Sequence, residues 1–215
     1  MLAGTVIIIA SINALRQTHI KARLAWSTIS QLSYIVLAAC LLVPLGALAS
    51  IIHIANQAFS KITMFFVAGV IERATGKTRV DELAGVGRQL PWTMTAFTVA
   101  SMSFIGVPLT AGFVTKWYLS LGALQAGSEV FVGVMVISGL LNAAYWLPMI
   151  YQAFFRPLPA NRPDAVSVSP MMVGPVLICA AYVILLGAGA SAPAMPFSVA
   201  EAAARFAIQL GVWPQ

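Results

Sequence analysis

Charged residues are scarce in this chain, and acidic residues are the scarcest. Only 8% of its 215 residues are charged, with six acidic side chains against twelve basic ones. Soluble domains carry roughly a quarter charged residues, so this composition excludes an ordinary soluble protein. The chain is also 60% hydrophobic, with a mean hydropathy of +0.91. The sequence therefore predicts an integral membrane protein, because it holds several apolar runs near the length that crosses a bilayer.

Cysteine and enzyme motifs are also lacking. The two cysteines, Cys40 and Cys179, lie in apolar runs and are expected to be small buried side chains, with no disulfide framework or metal spacing. There is no phosphate-binding loop, dinucleotide fingerprint or nucleophile motif, so we expect no cofactor and no enzyme activity. The net charge of +6 lies in short connections between apolar runs, which favours a membrane topology signal over nucleic-acid binding.

What the chain does have is apolar runs. They cover residues 2–15, 24–43, 45–71, 91–127, 130–155 and 171–190, and a weakly amphipathic stretch follows at 197–212. They predict an all-α, polytopic transmembrane helix bundle of about six spans.

The run 91–127 is too long for one straight span, since it would make a helix about 55 Å long. It is interrupted at Gly106, Pro108 and Gly112, so it forms either two short spans or one broken helix. A single crossing puts the basic connections, including Arg156 and Arg162, on one side of the membrane, as the positive-inside rule requires. We therefore expect a broken helix, which needs protein or water around its freed backbone groups.

One face of the third run is polar. His53, Gln57 and Lys61 follow one another at four-residue spacing, with Ser60 beside them. Such a row is expensive in lipid, so it should face protein or trapped water. Burial favours the neutral form of a lysine and histidine titrates near neutral pH, which together favour a proton relay. The alternative is a helix held to its neighbours by hydrogen bonds.

Two further groups are candidates. Lys116 follows the break and could terminate a hydrated path, or its ammonium could reach the membrane interface from a helix end. Ser30 and Gln31 belong to an unusually polar opening of the second run, which either lines a water-filled entrance or bonds neighbouring helices. Lys21 is a candidate at that entrance, although basic residues at a helix start, here Lys21 and Arg23, are more often anchors. No carboxylate lies inside any apolar run, so no buried acid is available to switch these lysines.

Three segments resemble a known family. HIKARLAWSTISQLSYI at 19–35, IIHIANQAFSKITMFFVAGVI at 51–71 and FIGVPLTAGFVTKWYL at 104–119 resemble the proton-translocating antiporter-like membrane subunits. That family includes the large subunits of Mrp-type cation/proton antiporters and the membrane-arm subunits of respiratory complex I. The residues GFVTKWYL in the third segment resemble the D subunit of the Mrp-type antiporter most.

The resemblance implies the second half of an inverted-repeat fold, with the repeat over residues 1–155 and a final helix and amphipathic segment over 156–215. It implies that Lys61 is the central relay, Lys116 the terminal relay and His53 the group between them. Gln57 departs from the family, whose members often carry a second histidine there. The family's N-terminal unit has no counterpart here, so the chain resembles the C-terminal part of a longer subunit.

The resulting hypothesis is a subunit of a multisubunit monovalent cation/proton antiporter in a bacterial inner membrane. Its expected partners are other membrane subunits, lipid, protons, and Na⁺ or K⁺. One alternative is an antiporter-like subunit of complex I or of a membrane-bound hydrogenase. An alternative of a different class is a non-conducting membrane scaffold.

Overall fold

In the part of the chain that the structure describes, helices account for all regular structure apart from one isolated bridge between His19 and Arg79. The structure is a computed structural model and describes residues 1–157, 166, 168–190, 192, 198 and 200–202. The α-helices are α1 (Leu2–Arg16), α2 (Ile20–Cys40), α3 (Pro44–Thr75), α4 (Val86–Gln89), α5 (Pro91–Ile105), α6 (Ala111–Gln125), α7 (Val130–Phe155) and α8 (Pro170–Ala188), and a 3₁₀ helix covers Val80–Leu83. The expectation of an all-α bundle is confirmed. Arg162 and most of the stretch at 197–212 lie outside the described residues.

The connections that carry basic residues meet at one end of the bundle. The α1–α2 connection pairs with the connection after α3, since the Ile20 amide donates to the Thr78 carbonyl at 3.0 Å. The Gly85 amide, in the connection before α4 and α5, donates to the Gln152 carbonyl near the end of α7 at 3.2 Å. Because α5 begins and α7 ends at the same side, the run 91–127 crosses the bundle once.

The run 91–127 is broken between Ile105 and Ala111, as predicted. Gly106 has a φ of +94°, a left-handed conformation that ends α5, and Leu109 has a φ of +72°. Both halves pack on α3 more than on each other, and α5 packs equally on α8, as expected for consecutive halves of one crossing. With α5 and α6 counted together, the described helices make six crossings. By length and hydropathy alone, α3, α7 and α8 can each span a membrane.

Gly112 lies just inside α6 rather than in the break, and the reason for a glycine there is close packing. A Cβ at this position would overlap the Ser103 carbonyl group of α5. The Gly112 amide lies in the first turn of α6, where amides have no partner within their own helix, and it donates to the Ser103 hydroxyl at 3.0 Å. The two halves of the broken helix are therefore fastened to each other across the break.

The expectations for Cys40, Cys179 and Arg23 are wrong. Cys40 is exposed at the end of α2, and Cys179 is partly exposed. Arg23 is not a solvated anchor: its side chain is only 7% exposed. Its guanidinium donates to the Tyr145 carbonyl of α7 at 2.9 Å and to the Gln17 carbonyl after α1 at 2.6 Å. Arg23 therefore joins α1, α2 and α7 through carbonyl groups.

Replacing Arg23 should destabilise the bundle. Arg23→Met leaves buried carbonyls without donors, and we expect the temperature at which half of the detergent-solubilised chain stays monodisperse to fall by about 5 °C or more. Lys21→Met is the matched control, because Lys21 lies two residues away with a side chain 60% exposed. Equal losses in the two variants would contradict the role given to Arg23.

Candidate functional site: a buried polar chain between two lysines

The polar face of α3 is buried within the bundle. His53, Gln57 and Lys61 are 4%, 6% and 7% exposed, as predicted for a row that avoids lipid. His53 and Gln57 contact side chains of α6 and α2, and Lys61 contacts side chains of α2, α5 and α7.

Lys61 is held by a hydroxyl and by aromatic rings. Its ammonium donates to the Ser27 hydroxyl of α2 at 2.7 Å. It also lies 4.4 Å from the ring centre of Phe104 and 5.8 Å from that of Trp146. A cation over an aromatic face gains roughly 0.5–2 kcal/mol, the larger values applying when water is excluded. Among the described residues, no carboxylate forms an ion pair with Lys61.

From Lys61 the hydrogen bonds lead into α7. Ser27 accepts a second hydrogen bond, from the Tyr145 hydroxyl at 3.2 Å. Tyr145 can alternatively donate to the Asn142 side-chain oxygen. That oxygen also accepts from the Gln31 amide of α2 at 3.3 Å. Each of these side chains is fully buried.

From Gln31 the polar chain returns to α3 and crosses to α6. The Gln57 amide donates to the Gln31 side-chain oxygen at 3.0 Å and lies 3.4 Å from Nε2 of His53. Nδ1 of His53 lies 3.1 Å from the Thr115 hydroxyl. Since Thr115 precedes Lys116, direct side-chain contacts connect Lys61 to the immediate neighbour of Lys116.

Lys116 is anchored at the break. Its ammonium donates to the Phe104 and Ile105 carbonyls at 2.7 and 3.0 Å. These groups belong to the last turn of α5, where carbonyls lack helical partners and the helix dipole favours a cation. The break has a 15-residue helix on either side, about 22 Å each at 1.5 Å per residue. This position argues against the alternative in which Lys116 reaches the membrane interface.

A cavity of about 360 Å³, open at the surface of the bundle, lies beside Lys116, between the break, α6 and α7. Gly106 and Gly139 contribute no side chains to its walls, and Ser120 lines it one turn after Lys116. Two of the three ammonium protons of Lys116 are used on carbonyls among the described residues. The third requires an acceptor, and the cavity has room for water to provide one.

The cavity should therefore be hydrated. In a chain carrying Cys40→Ser and Cys179→Ser, we expect Ser120→Cys to react with a small charged thiol reagent roughly ten-fold faster than Ser138→Cys, since thiolates form and react only where water enters. Ser138 is fully buried and is the matched control in the neighbouring helix. Equal protection of both cysteines would contradict a hydrated cavity.

A second polar group fastens the break to α3. The side-chain oxygen of Asn56 accepts from Ser60 at 2.9 Å and from Ser103 at 2.9 Å. The Ser103 hydroxyl also accepts a hydrogen bond from the Gly112 amide at 3.0 Å. Ser60, predicted to line the path, thus lies in this bracing group rather than in the chain between the lysines.

Ser30 belongs to a side branch. Its hydroxyl donates to the Ile7 carbonyl at 3.0 Å and lies 2.9 Å from the Ser11 hydroxyl. Ser11 lies 3.5 Å from Ser138, which in turn lies 3.5 Å from Asn142. Ser30 therefore bonds α1 to α2 and approaches the polar chain from α7.

Lys21 lies apart from these groups. It forms an ion pair of 2.5 Å with Glu72, and the two side chains are 60% and 41% exposed. The structure thus places Lys21 at the surface end of the bundle, outside the buried chain.

Sequence reasoning missed the contribution of α7. Ser138, Asn142 and Tyr145 lie at spacings of four and three residues on one face of an otherwise apolar helix. That pattern was available in the sequence and is the same kind of signal as the row on α3. The role of Phe104 had no such signal, because an aromatic residue in an apolar run is ordinary.

Comparison with known proteins identifies the family. The family described as NADH:quinone oxidoreductase/Mrp antiporter, TM matches residues 1–142. The chain belongs to this family. It is 36% identical to the N subunit of NADH-quinone oxidoreductase from Desulforudis audaxviator over 86% of the chain and 40% of that protein. It is 34% identical to the A/B subunit of a probable K(+)/H(+) antiporter from Rhizobium meliloti over 75% of the chain and 17% of that protein.

Solved structures share the fold. The Mrp complex from Dietzia sp. matches with a TM-score of 0.84 and 21% identity, covering 93% of this chain and 45% of the matched chain. Respiratory complex I from Thermus thermophilus matches with a TM-score of 0.81 and 21% identity, covering 95% and 43%. The chain spans less than half the length of these relatives. The two relatives compared by sequence are an N subunit and an A/B subunit, so they do not support the finer resemblance to the D subunit of the Mrp-type antiporter.

Proposed function

We propose that this chain conducts protons through the membrane as an antiporter-like subunit of a multisubunit assembly, using Lys61, His53 and Lys116 as titrating groups. The observation that carries the proposal is the buried series of side-chain contacts that leads from Lys61 to Thr115, the residue before Lys116. Four helices supply it: α2, α3, α6 and α7.

The side chains in this series of contacts differ in whether they can pass a proton on. Lysine, histidine and hydroxyl groups can accept one proton and release another, as Ser27, Tyr145 and Thr115 would. The amides of Gln31, Gln57 and Asn142 cannot, since their nitrogen only donates and their oxygen only accepts. Water beside these three amides would have to complete the route.

The scaffold alternative fits the geometry less well. A scaffold lysine would reach an acid on a neighbouring protein, which requires an ammonium accessible at the surface. Lys61 is 7% exposed and bonded to Ser27 within this chain. The exposed Lys21 already pairs with Glu72.

Two kinds of assembly remain within the proposal. One is a cation/proton antiporter, as in the relative from Rhizobium meliloti, and the other a redox-driven complex, as in the relative from Desulforudis audaxviator. Both would place the chain in a bacterial cell membrane among other membrane subunits. Only the antiporter requires Na⁺ or K⁺ for proton movement, so the cation dependence of the flux separates the two.

Removing Lys61 should abolish proton movement. In everted membrane vesicles that contain the complete assembly, followed with a pH-sensitive dye, Lys61→Ala should reduce the rate by about a hundred-fold or more, the scale expected when a proton-transfer group is lost. Lys61→Arg should fail as well, because arginine stays charged and cannot release a proton.

Lys21→Ala is the matched control, since it removes a lysine outside the buried chain and should leave the rate nearly unchanged. Immunoblots must show equal amounts of each variant in the membrane. A wild-type rate in Lys61→Ala would contradict the proposed function.

A further inference from the structure

Phe104 contacts both lysines through different atoms. Its ring lies beneath the Lys61 ammonium, with 4.4 Å between Nζ and the ring centre. Its carbonyl oxygen accepts a hydrogen bond from the Lys116 ammonium at 2.7 Å. One residue in the last turn of α5 thus lies between two cations that come from α3 and α6.

The ring side of this contact is firmly packed. Phe104 is 1% exposed, and its ring lies against Trp146 with 6.5 Å between ring centres. The Trp146 and Phe97 rings are in turn nearly perpendicular, with 5.7 Å between ring centres. The position of the Phe104 ring is therefore set by α7 on one side and by the charge of Lys61 on the other.

The carbonyl side is free to respond because the helix ends there. Gly106 turns the backbone with a φ of +94°, so the amides that follow bond to Met102 and Ser103 instead of Phe104. Among the described residues, the Phe104 carbonyl accepts its hydrogen bond from Lys116. A small rotation of this last turn would alter the Lys116 hydrogen bond without breaking the rest of α5.

We propose that Phe104 is a positioning residue that couples the two lysines, its ring holding the Lys61 ammonium and its carbonyl holding the Lys116 ammonium. This inference rests on the proposed function. A charged Lys61 attracts the ring and fixes the last turn of α5 in the position that binds Lys116. When Lys61 gives up its proton the attraction is lost, the turn loosens, and Lys116 is released toward the cavity.

Other titratable groups lie near the lysines, and the substitutions at positions 104 and 97 leave all of them in place. His53 approaches Lys116 through Thr115, the Tyr34 ring centre lies 5.8 Å from the Lys116 nitrogen, and Tyr145 approaches Lys61 through Ser27. A difference caused by changing only the Phe104 ring cannot come from these groups.

The test weakens the face of the ring without changing its shape. 3,4,5-Trifluorophenylalanine, incorporated at position 104, keeps the packing but removes most of the negative charge on the ring face. In everted vesicles with the complete assembly, we expect proton movement about three- to five-fold slower and the alkaline limb of its pH profile roughly half a unit lower. The same residue at position 97 is the matched control, since Phe97 contacts Trp146 but neither lysine, and it should change neither quantity.

A second measurement reports on Lys116. In the background with Ser120→Cys as the single cysteine, the trifluorinated residue at 104 should raise the labelling rate about two-fold, because a released ammonium would stabilise the nearby thiolate. The residue at 97 should leave labelling unchanged. Phe104→Leu should resemble the trifluorinated variant, and Phe104→Tyr, which keeps an aromatic face, should restore the pH profile.

The outcomes separate the two proposals. If Lys61→Ala is inactive but the substitutions at 104 and 97 give the same rates, pH profiles and labelling, the coupling is overturned and the relay stands. If the pH profile moves while labelling stays unchanged, Phe104 serves Lys61 alone and the coupling is overturned as well. If Lys61→Ala retains the wild-type rate, both proposals fail.

Discussion

The hydrogen bond from the Lys61 ammonium to the Ser27 hydroxyl is the interaction on which the interior of this bundle depends. A cation inside an apolar bundle is costly, and the described residues place no carboxylate against this one. A hydroxyl and the Phe104 ring stabilise it instead. Both are weaker partners for a cation than a carboxylate, so the charged and neutral forms of Lys61 lie closer in free energy than they would in an ion pair. A proton relay requires that property.

The broken helix supplies the second half of the arrangement. Ending α5 at Ile105 frees two carbonyls in the middle of the bundle, and Lys116 binds both. The break would weaken the bundle if it were loose, but Ser103 fastens it to Gly112 and to Asn56 of α3. The helix carrying His53 and Lys61 is thereby braced against the broken helix that carries Lys116, which holds the backbone positions of both lysines.

The sequence predicted those parts of the fold that depend on composition and spacing. Apolar length and the placement of arginines indicated the crossings and the break, and four-residue spacing indicated the buried row on α3. The remaining contacts join residues that are far apart in the sequence, so spacing along the chain does not indicate them. Arg23 looks like an ordinary anchor until Tyr145, 122 residues later, provides its carbonyl. Asn142 becomes part of the site only because α7 packs beside α2. Phe104 acts through a backbone carbonyl, which no side-chain pattern records.

Replacement of Gln57 tests the central claim most directly, because the Gln57 side chain joins Gln31 to His53. Proton movement should be measured in everted vesicles containing equal amounts of Gln57→Leu and Gln57→His. The account predicts a rate at least about ten-fold lower for leucine, which removes the polar group that would hold water at this point of the route, and a rate near wild type for histidine, which accepts and releases protons. Wild-type rates in both variants would show that protons do not pass this point and would contradict the account.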